Sequence, residues 1–506
     1  MDITWRPKQR ETIDKCVQLV RIGIKNVLID APTGFGKSLV NYHIAKELHE
    51  RYGYMAYYLT PQVALLDQIE RDKNLDIAVI KGRENYPCFY GKNCAVGLCK
   101  KLKTFKCDRV CPYRKAKDRA TNHWITAASF AYYIMERMFV GELRDREIII
   151  VDEADDLENW ADDFGSFTFK VDQNFTDLDS VIVWAKAVRK AVAREMLEID
   201  MMEEKSEKTL ERYEQLSKYH MKLSIFLESV DKDRNNWVFE CDGKRLVVKP
   251  VDVGSILRRL VWDTSKIRIC SSATILDRYM FCKTVGLNPD ETAMIKVKSF
   301  FPKENRPAFY IPVAKMTKEE RENSYSSIAE AVAEIVRIFR GHRGICHAHS
   351  YEIAKAIYNR VSVDGVKVAV HDREDRNEVF DRFLRGEIDF LICVGFIRGV
   401  DLKDDLARYQ IIVKVPYPDE SDPRVRELWV NRKAWNWARY HAIRNIVQAY
   451  GRIVRSETDW GATIILDKSM EYLIRYKKQF PEWFLEAFEV ADFNRVREWL
   501  MGRTKG

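Results

Sequence analysis

Short apolar runs alternate with helix-period stretches over the first 84 residues. The runs at 27–30, 56–60 and 77–80 are mostly apolar, as in strands covered on both faces. Between them, 37–51 and 62–71 carry helical spacing. This order predicts a parallel sheet with crossover helices. Residues 82–119 break the rhythm and read as an insert. The segment 121–137 resumes it, and 147–151 is a further buried strand that runs into Asp152-Glu153-Ala154-Asp155.

From about 164 to 248 the character changes. Val181, Trp184, Val188, Val192, Met196 and Ile199 recur every three or four positions, as do Leu210, Tyr213, Leu216, Tyr219 and Leu223. Both sets predict amphipathic helices. Many charges and little β signal surround them, so a second, helical insert is expected. A strand at 267–270 leads into Ser271-Ser272-Ala273-Thr274. After Pro302 and Pro307 a second α/β region begins. Its predicted strands are 344–348, 366–370, 390–394, 410–415 and 463–466, with helices at 326–340, 351–360 and 375–385. The fold class is therefore α/β, with two parallel-sheet regions and both inserts in the first.

A chain of 506 residues admits two to four domains at ~100–200 residues each. No apolar run reaches the ~18 residues of a membrane span, and the N-terminus has no signal-peptide pattern. A cytoplasmic protein without a membrane partner is expected. The net charge of +8 is small for 84 basic and 76 acidic side chains, so overall charge selects no partner. Locally it does: 100–119 holds nine basic residues against two acidic ones, which suits a phosphate backbone. Five of the eleven cysteines crowd into 88–111. In a cytosolic protein such a cluster points to metal or redox chemistry, not to disulfides.

The candidate chemistry starts at Ala31-Pro32-Thr33-Gly34-Phe35-Gly36-Lys37-Ser38. This is a G-x-x-x-x-G-K-S loop with a small residue in place of its first glycine, set between a strand and a helix. Thr33, Gly34 and Gly36 belong to a backbone that turns its N–H groups toward one anion. Lys37 would reach the outer phosphates of ATP, and Ser38 would hold Mg²⁺. Asp152 would share that ion, and Glu153 would orient and deprotonate water. In Gln448-Ala449-Tyr450-Gly451-Arg452-Ile453-Val454-Arg455 the two arginines are three residues apart. On a helix they would share one face and supply positive charge to the γ-phosphate. They belong to the second region, so they would complete the site only when the two regions close.

The order of these motifs resembles the superfamily 2 helicases, and within them the XPD/DinG family of iron–sulphur DNA helicases. Gln9 resembles the family's adenine-reading glutamine, and Thr60-Pro61-Gln62 with Gln68 its motif Ia. Lys81 to Cys88 resembles the entry to the cluster insert, and Cys111-Pro112-Tyr113 its exit. Ser272-Ala273-Thr274 resembles motif III, Gly399-Val400-Asp401 motif V, and Gln448 to Arg455 motif VI. The resemblance covers about 5–468. Two positions depart from it: Arg398 stands where Glu is common, and Asp155 where His is common.

The resemblance implies two RecA-like motor domains, the first at 1–84, 116–163 and 249–300 and the second at 301–506. It implies an iron–sulphur insert at 85–115 and a helical arch at 164–248. Gln9 and Asp401 would join the nucleotide site, and Gln448 would help position the γ-phosphate and water. Four thiolates hold a 4Fe–4S cluster. The preferred set is Cys88, Cys99, Cys107 and Cys111, with Cys94 as the alternative. Spacing alone favours zinc, and the resemblance favours iron. The expected function is ATP-driven unwinding by a monomer moving 5′→3′ on single-stranded DNA, with tailed or forked duplex DNA as substrate. A translocase that strips proteins or RNA without unwinding is an alternative, as is a redox sensor with a vestigial motor.

Overall fold

A computed structural model describes residues 5–107, 110–394, 402 and 404–504. Asp108, Arg109, Arg398 and the motif at 399–401, including Asp401, lie outside the described residues. The chain divides into two compact units. The first comprises 1–30, 36–296 and 419–434, and the second 31–35, 297–418 and 435–506. Each is built on one parallel sheet of seven strands. These are RecA-like sheets flanked by helices.

In the first unit the strands are β1 (Asn26–Asp30), β2 (Ala56–Thr60), β3 (Ala78–Val79), β4 (Ile125–Ser129) and β5 (Ile148–Asp152). Three more follow in the arch region, β6 (Phe167–Lys170), β7 (Trp237–Cys241) and β8 (Arg245–Pro250), and then β9 (Ile267–Ser272) and β10 (Thr292–Lys296). The main sheet runs β10-β1-β9-β5-β2-β4-β3. Its central strands are fully buried. That is why they read as continuous apolar runs and not as alternation. The order places the ends of β1, β5 and β9 side by side, with Asp30 opposite Ser272 and Asp152 opposite Ser271. In a parallel sheet, ligands bind beyond such carboxyl ends.

The arch region differs from the helical insert expected. Two 24-residue helices, Leu178–Met201 and Glu207–Val230, are present. They stand on an antiparallel sheet, β6-β8-β7. Its strands are short and pack one face on the helices through Phe167, Trp237, Leu246 and Val248. Four- to six-residue strands beside long charged helices carry little signal in the sequence. Residues 419–434 also group with this unit, although residues of the second unit flank them on both sides. They are held by a buried Arg424–Glu158 ion pair (2.7 Å) and by Lys249, which bridges Asp162 and Asp422.

The second unit carries β11 (Ala308–Ala314), β12 (Gly344–His347), β13 (Val368–Val370), β14 (Phe390–Cys393), β15 (Tyr409–Ile412), β16 (Ala462–Asp467) and β17 (Phe488–Val490). Its order is β13-β14-β12-β15-β16-β11-β17. The helix Arg321–Ile338 buries Ile328, Val332 and Ile335 against it. Among the described residues no helix is long and apolar enough to cross a membrane.

Candidate functional site

β1 delivers the chain into the phosphate loop, and the helix Lys37–Tyr52 begins directly after Gly36. Gly34 and Gly36 take left-handed backbone angles (φ 78° and 82°), where a side chain is strained. A Cβ on Gly36 would also stand 2.6 Å from the Gln9 amide. Gln9 is buried there, its Oε1 accepting from the Arg6 N–H at 2.8 Å. Thr33 falls in the stretch grouped with the second unit. Within that unit a Cβ on Gly451 would lie 3.3 Å from its methyl.

Ser38 and Asp152 meet as the motifs require: the Ser38 hydroxyl donates to Asp152 Oδ2 at 3.2 Å. A hydroxyl beside a carboxylate offers hard oxygen ligands of the kind Mg²⁺ takes. Asp152 is buried and held from two further sides. Tyr58 donates to Oδ2 at 2.6 Å, and Ser271 to Oδ1 at 3.2 Å. Neither had been singled out. Tyr58 gave one signal only: a hydroxyl in the middle of a strand buried on both faces.

Glu153 also has a left-handed backbone (φ 50°), strained for a residue with a side chain. Its carboxylate lies 3.5 Å from Lys37 Nζ. Partial removal from water pushes the Glu153 carboxyl up, although 41% of its side chain stays exposed; Lys37 opposes the rise, and Asp152 and Asp155 add to it. A raised carboxyl suits a base near neutral pH. Asp155, the departure from the expected His, is buried and accepts from Ser272 Oγ (2.5 Å) and Thr274 Oγ1 (2.9 Å). The acidic motif and Ser272-Ala273-Thr274 are thus tied directly.

In the second unit, the helical reading of the arginine pair is corrected. The helix Trp435–Tyr450 ends before Arg452, which lies in a turn, and Arg455 lies in irregular chain. Polar anchors hold this segment in place of a helical ladder. The Arg452 N–H donates to Ala449 O (3.1 Å), and the Arg455 N–H donates to Asp459 Oδ2 (3.0 Å). Asp459 is buried against Arg408 at 2.8 Å. Gln448 is half-buried in the last helical turn.

The five clustered cysteines are neighbours and none is in a disulfide. Cys94 Sγ lies 3.9 Å from Cys111 Sγ. Cys107 interacts with both Cys99 and Cys111. Cys88 borders Gly97, whose Cβ would lie 2.6 Å from the sulfur. Cys111 directly precedes the helix Pro112–Asn122, at its N-cap position. Burial resists its ionisation, but the Arg114 N–H and the neighbouring thiols hold it below the ordinary range. Among the described residues, no group of three His, Cys, Asp or Glu side chains is already drawn together as a metal site. An all-thiol donor set of adjoining sulfurs fits an iron–sulphur cluster in ligand type.

This insert is joined to the arch region of the same unit. Leu102 bridges Glu204, the Lys103 N–H donates to Glu203 O, and the Lys205 N–H donates to Lys101 O. A cavity of about 950 Å³ lies beside the junction, lined among others by Lys100, Lys103, Tyr132, Phe139, Lys205 and Lys218. Burial and the charges of Arg83 and Arg114 push Lys100 down, partly offset by Cys99. An anion there would relieve that crowding.

Comparison with known proteins supplies an independent view. Residues 2–157 match the family of the type III restriction enzyme res subunit, and 332–487 match a helicase C-terminal domain. A probable ATP-dependent helicase of Methanocaldococcus jannaschii is 21% identical over 91% of this chain and 92% of its own length. The ATP-dependent DNA helicase DinG of Photobacterium profundum is 24% identical over 44% of this chain, which spans 34% of that protein. A solved XPD helicase superposes with a TM-score of 0.64 at 18% identity, covering 97% of this chain and all of that one. At that identity the likeness is one of fold.

Proposed function

We propose that the chain is an XPD/DinG-like helicase of superfamily 2 that hydrolyses ATP and unwinds DNA while moving 5′→3′ along one strand. The observation that carries the reading is the junction of the cysteine insert with the arch region beside a cavity whose wall mixes lysines and aromatic rings with the carboxylates of Glu84, Glu136, Asp200 and Glu214. Lysines suit a phosphate backbone, and exposed rings such as Phe139 suit stacking on unpaired bases. The DNA preference is supported by the relative named a DNA helicase, and the polarity by resemblance to the family.

In this reading the ATP phosphates draw Lys37 away from Glu153. Glu153 then orients and deprotonates the attacking water, while Ser38 and Asp152 hold Mg²⁺. Gln9 reads the base, and Thr33, Gly34 and Gly36 shape the phosphate cradle. From the second unit, Arg452 and Arg455 stabilise charge developing on the γ-phosphate, and Gln448 positions it. Asp155, held by Ser272 and Thr274, connects the acidic motif to the strand-moving parts. Cys88, Cys99, Cys107 and Cys111 would hold a 4Fe–4S cluster, with Cys94 as the alternative to Cys99 or Cys107. The cluster would staple an insert that has little core of its own.

Anaerobic purification followed by unwinding of 5′-tailed, 3′-tailed and RNA-containing duplexes tests the whole reading. A brown protein absorbing near ~400 nm that unwinds 5′-tailed DNA is expected. A colourless protein with stoichiometric zinc would remove the iron assignment. ATP hydrolysis without strand displacement would leave a translocase.

A further inference from the structure

Gln410, on β15, is buried and makes three hydrogen bonds. Its Nε2 donates to Ala449 O at 2.8 Å and to Thr463 Oγ1 at 2.7 Å, and its Oε1 faces His347 Nε2 at 3.1 Å. Ala449 O can only accept, so the amide nitrogen must lie on that side. The Oε1 contact then requires a proton on His347 Nε2. His347 Nδ1 lies 3.6 Å from Cys393 Sγ. The same Ala449 carbonyl accepts the Arg452 N–H at 3.1 Å. One oxygen therefore closes the turn that carries Arg452 and is itself fixed by Gln410.

Resting on the proposed ATP-driven reading, we infer that Gln410 is a positioning residue for hydrolysis, holding Arg452 through Ala449 in the orientation its charge requires. The argument is geometric. The helix has ended, so the ladder that fixes its earlier residues no longer operates at Arg452. The anchor instead comes from a strand 39 residues away in sequence. An amide supplies what the place needs, two donors to oxygen and one acceptor for an imidazole N–H. Leucine supplies none of these, and a glutamate carboxylate would repel the Ala449 carbonyl.

The test uses the full chain and the variants Gln410→Leu, Gln410→Glu and Thr463→Val. Four readouts are taken for each: kcat and KM for ATP, melting temperature, and hydrogen exchange of peptides spanning 446–456. Gln410→Leu should lower kcat by ~10-fold with KM within ~2-fold, because the lost contact acts in the transition state. Amides around Arg452 should exchange faster. In Gln410→Glu, kcat relative to wild type at the same pH should recover as the pH falls, since a protonated carboxyl again donates to Ala449 O while protonation of the Glu153 base lowers both proteins alike. Gln410→Leu should show no such recovery, which separates the effect from titration of His347 or Cys393 and from the fixed charge of Arg452. If the Gln410 variants do not fold, Thr463→Val removes one partner only and should show a smaller loss of kcat. A folded variant with unchanged kcat and unchanged exchange near Arg452 overturns the proposal. Wild-type protein without ATPase activity would instead sink the helicase reading, and the exchange data would still decide whether Gln410 anchors the turn.

Discussion

The acidic end of β5 and the arginine segment after Tyr450 are assigned to one reaction, yet they are built by different means. Asp152 and Glu153 sit where a buried strand stops, and neighbouring strands of the same sheet hand Asp152 its partners Tyr58 and Ser271. Arg452 and Arg455 sit where a helix has already stopped, and are held by Ala449, Gln410 and Asp459. A strand end inherits its position from the sheet. A segment in irregular chain needs polar anchors from distant residues, and those anchors become part of the machinery.

The sharpest break of this comparison removes one charge from each side. Lys37→Ala and Arg452→Ala should each lower nucleic-acid-stimulated hydrolysis by ~10³-fold, the scale of losing a charge aimed at a transferring phosphoryl group. They should differ in binding. Lys37→Ala should also weaken a fluorescent ATP analogue, whereas Arg452→Ala should leave its affinity near wild type. Equal loss of binding in both would mean that Arg452 already acts on the ground state.

The same contrast explains what could be read in advance. The strands at 27–30, 56–60 and 147–151 were legible because a parallel sheet buried on both faces must be apolar throughout. The loop from Ala31 to Ser38 was legible because phosphate binding fixes both residue types and spacing. The arginine pair was seen but misplaced on a helix. Helical spacing and a turn after Gly451 look alike in a string of residues, and the Ala449–Gln410 bond that distinguishes them is long-range. The β6-β8-β7 sheet is hard to read for a related reason: its strands are four to six residues long, too short for an alternation such as Phe167-Thr168-Phe169-Lys170 to stand out beside long charged helices. Tyr58 and Gln410 read as ordinary strand residues until the sheets bring their partners to them.

Asp459→Asn probes the second anchor. It leaves the shape but removes the charge that pairs with buried Arg408 and receives the Arg455 N–H. Breaking a buried pair costs about 3 kcal/mol, so the melting temperature should fall measurably in a thermal scan. The kcat should fall with it, since Arg455 loses its fixed start. A stable Asp459→Asn protein would show that the exposed Asp405, 2.9 Å from Arg408, is partner enough.

Tyr58→Phe makes the matching change on the β5 side, removing one of four donors to Asp152, the others being Ser38, Ser271 and the Glu153 N–H. A hydrogen bond to a charged group contributes about 2 kcal/mol. The Mg²⁺ concentration for half-maximal hydrolysis should therefore shift upward by ~10-fold or more. If a magnesium titration gives the wild-type midpoint, Ser38, Ser271 and the Glu153 N–H fix the carboxylate without Tyr58.

The smallest effect concerns Asp30, which no expectation singled out. It ends β1 just before the phosphate loop and is buried, and its Oδ1 has no hydrogen-bond partner among the described residues. Burial pushes its carboxyl from 3.8 up to about 7, against the pull of Lys296, the Ile275 and Leu276 N–H groups, and Lys37. A carboxyl whose folded pKa lies above its unfolded value favours the folded state when protonated. That contribution is complete below the unfolded value and is lost as the pH rises through about 7. Asp30→Asn escapes the penalty but gives up one acceptor oxygen, so the net gain at pH 8 should be about 1 kcal/mol, fading toward pH 5. Thermal scans of both proteins at the two pH values measure it. A variant that melts lower than wild type at pH 8 would mean that the attraction of Lys296 and Lys37 for the Asp30 carboxylate outweighs the cost of its burial. The carboxylate at the end of β1 would then belong with Asp152 and Glu153 as a third negative charge beside the phosphate loop.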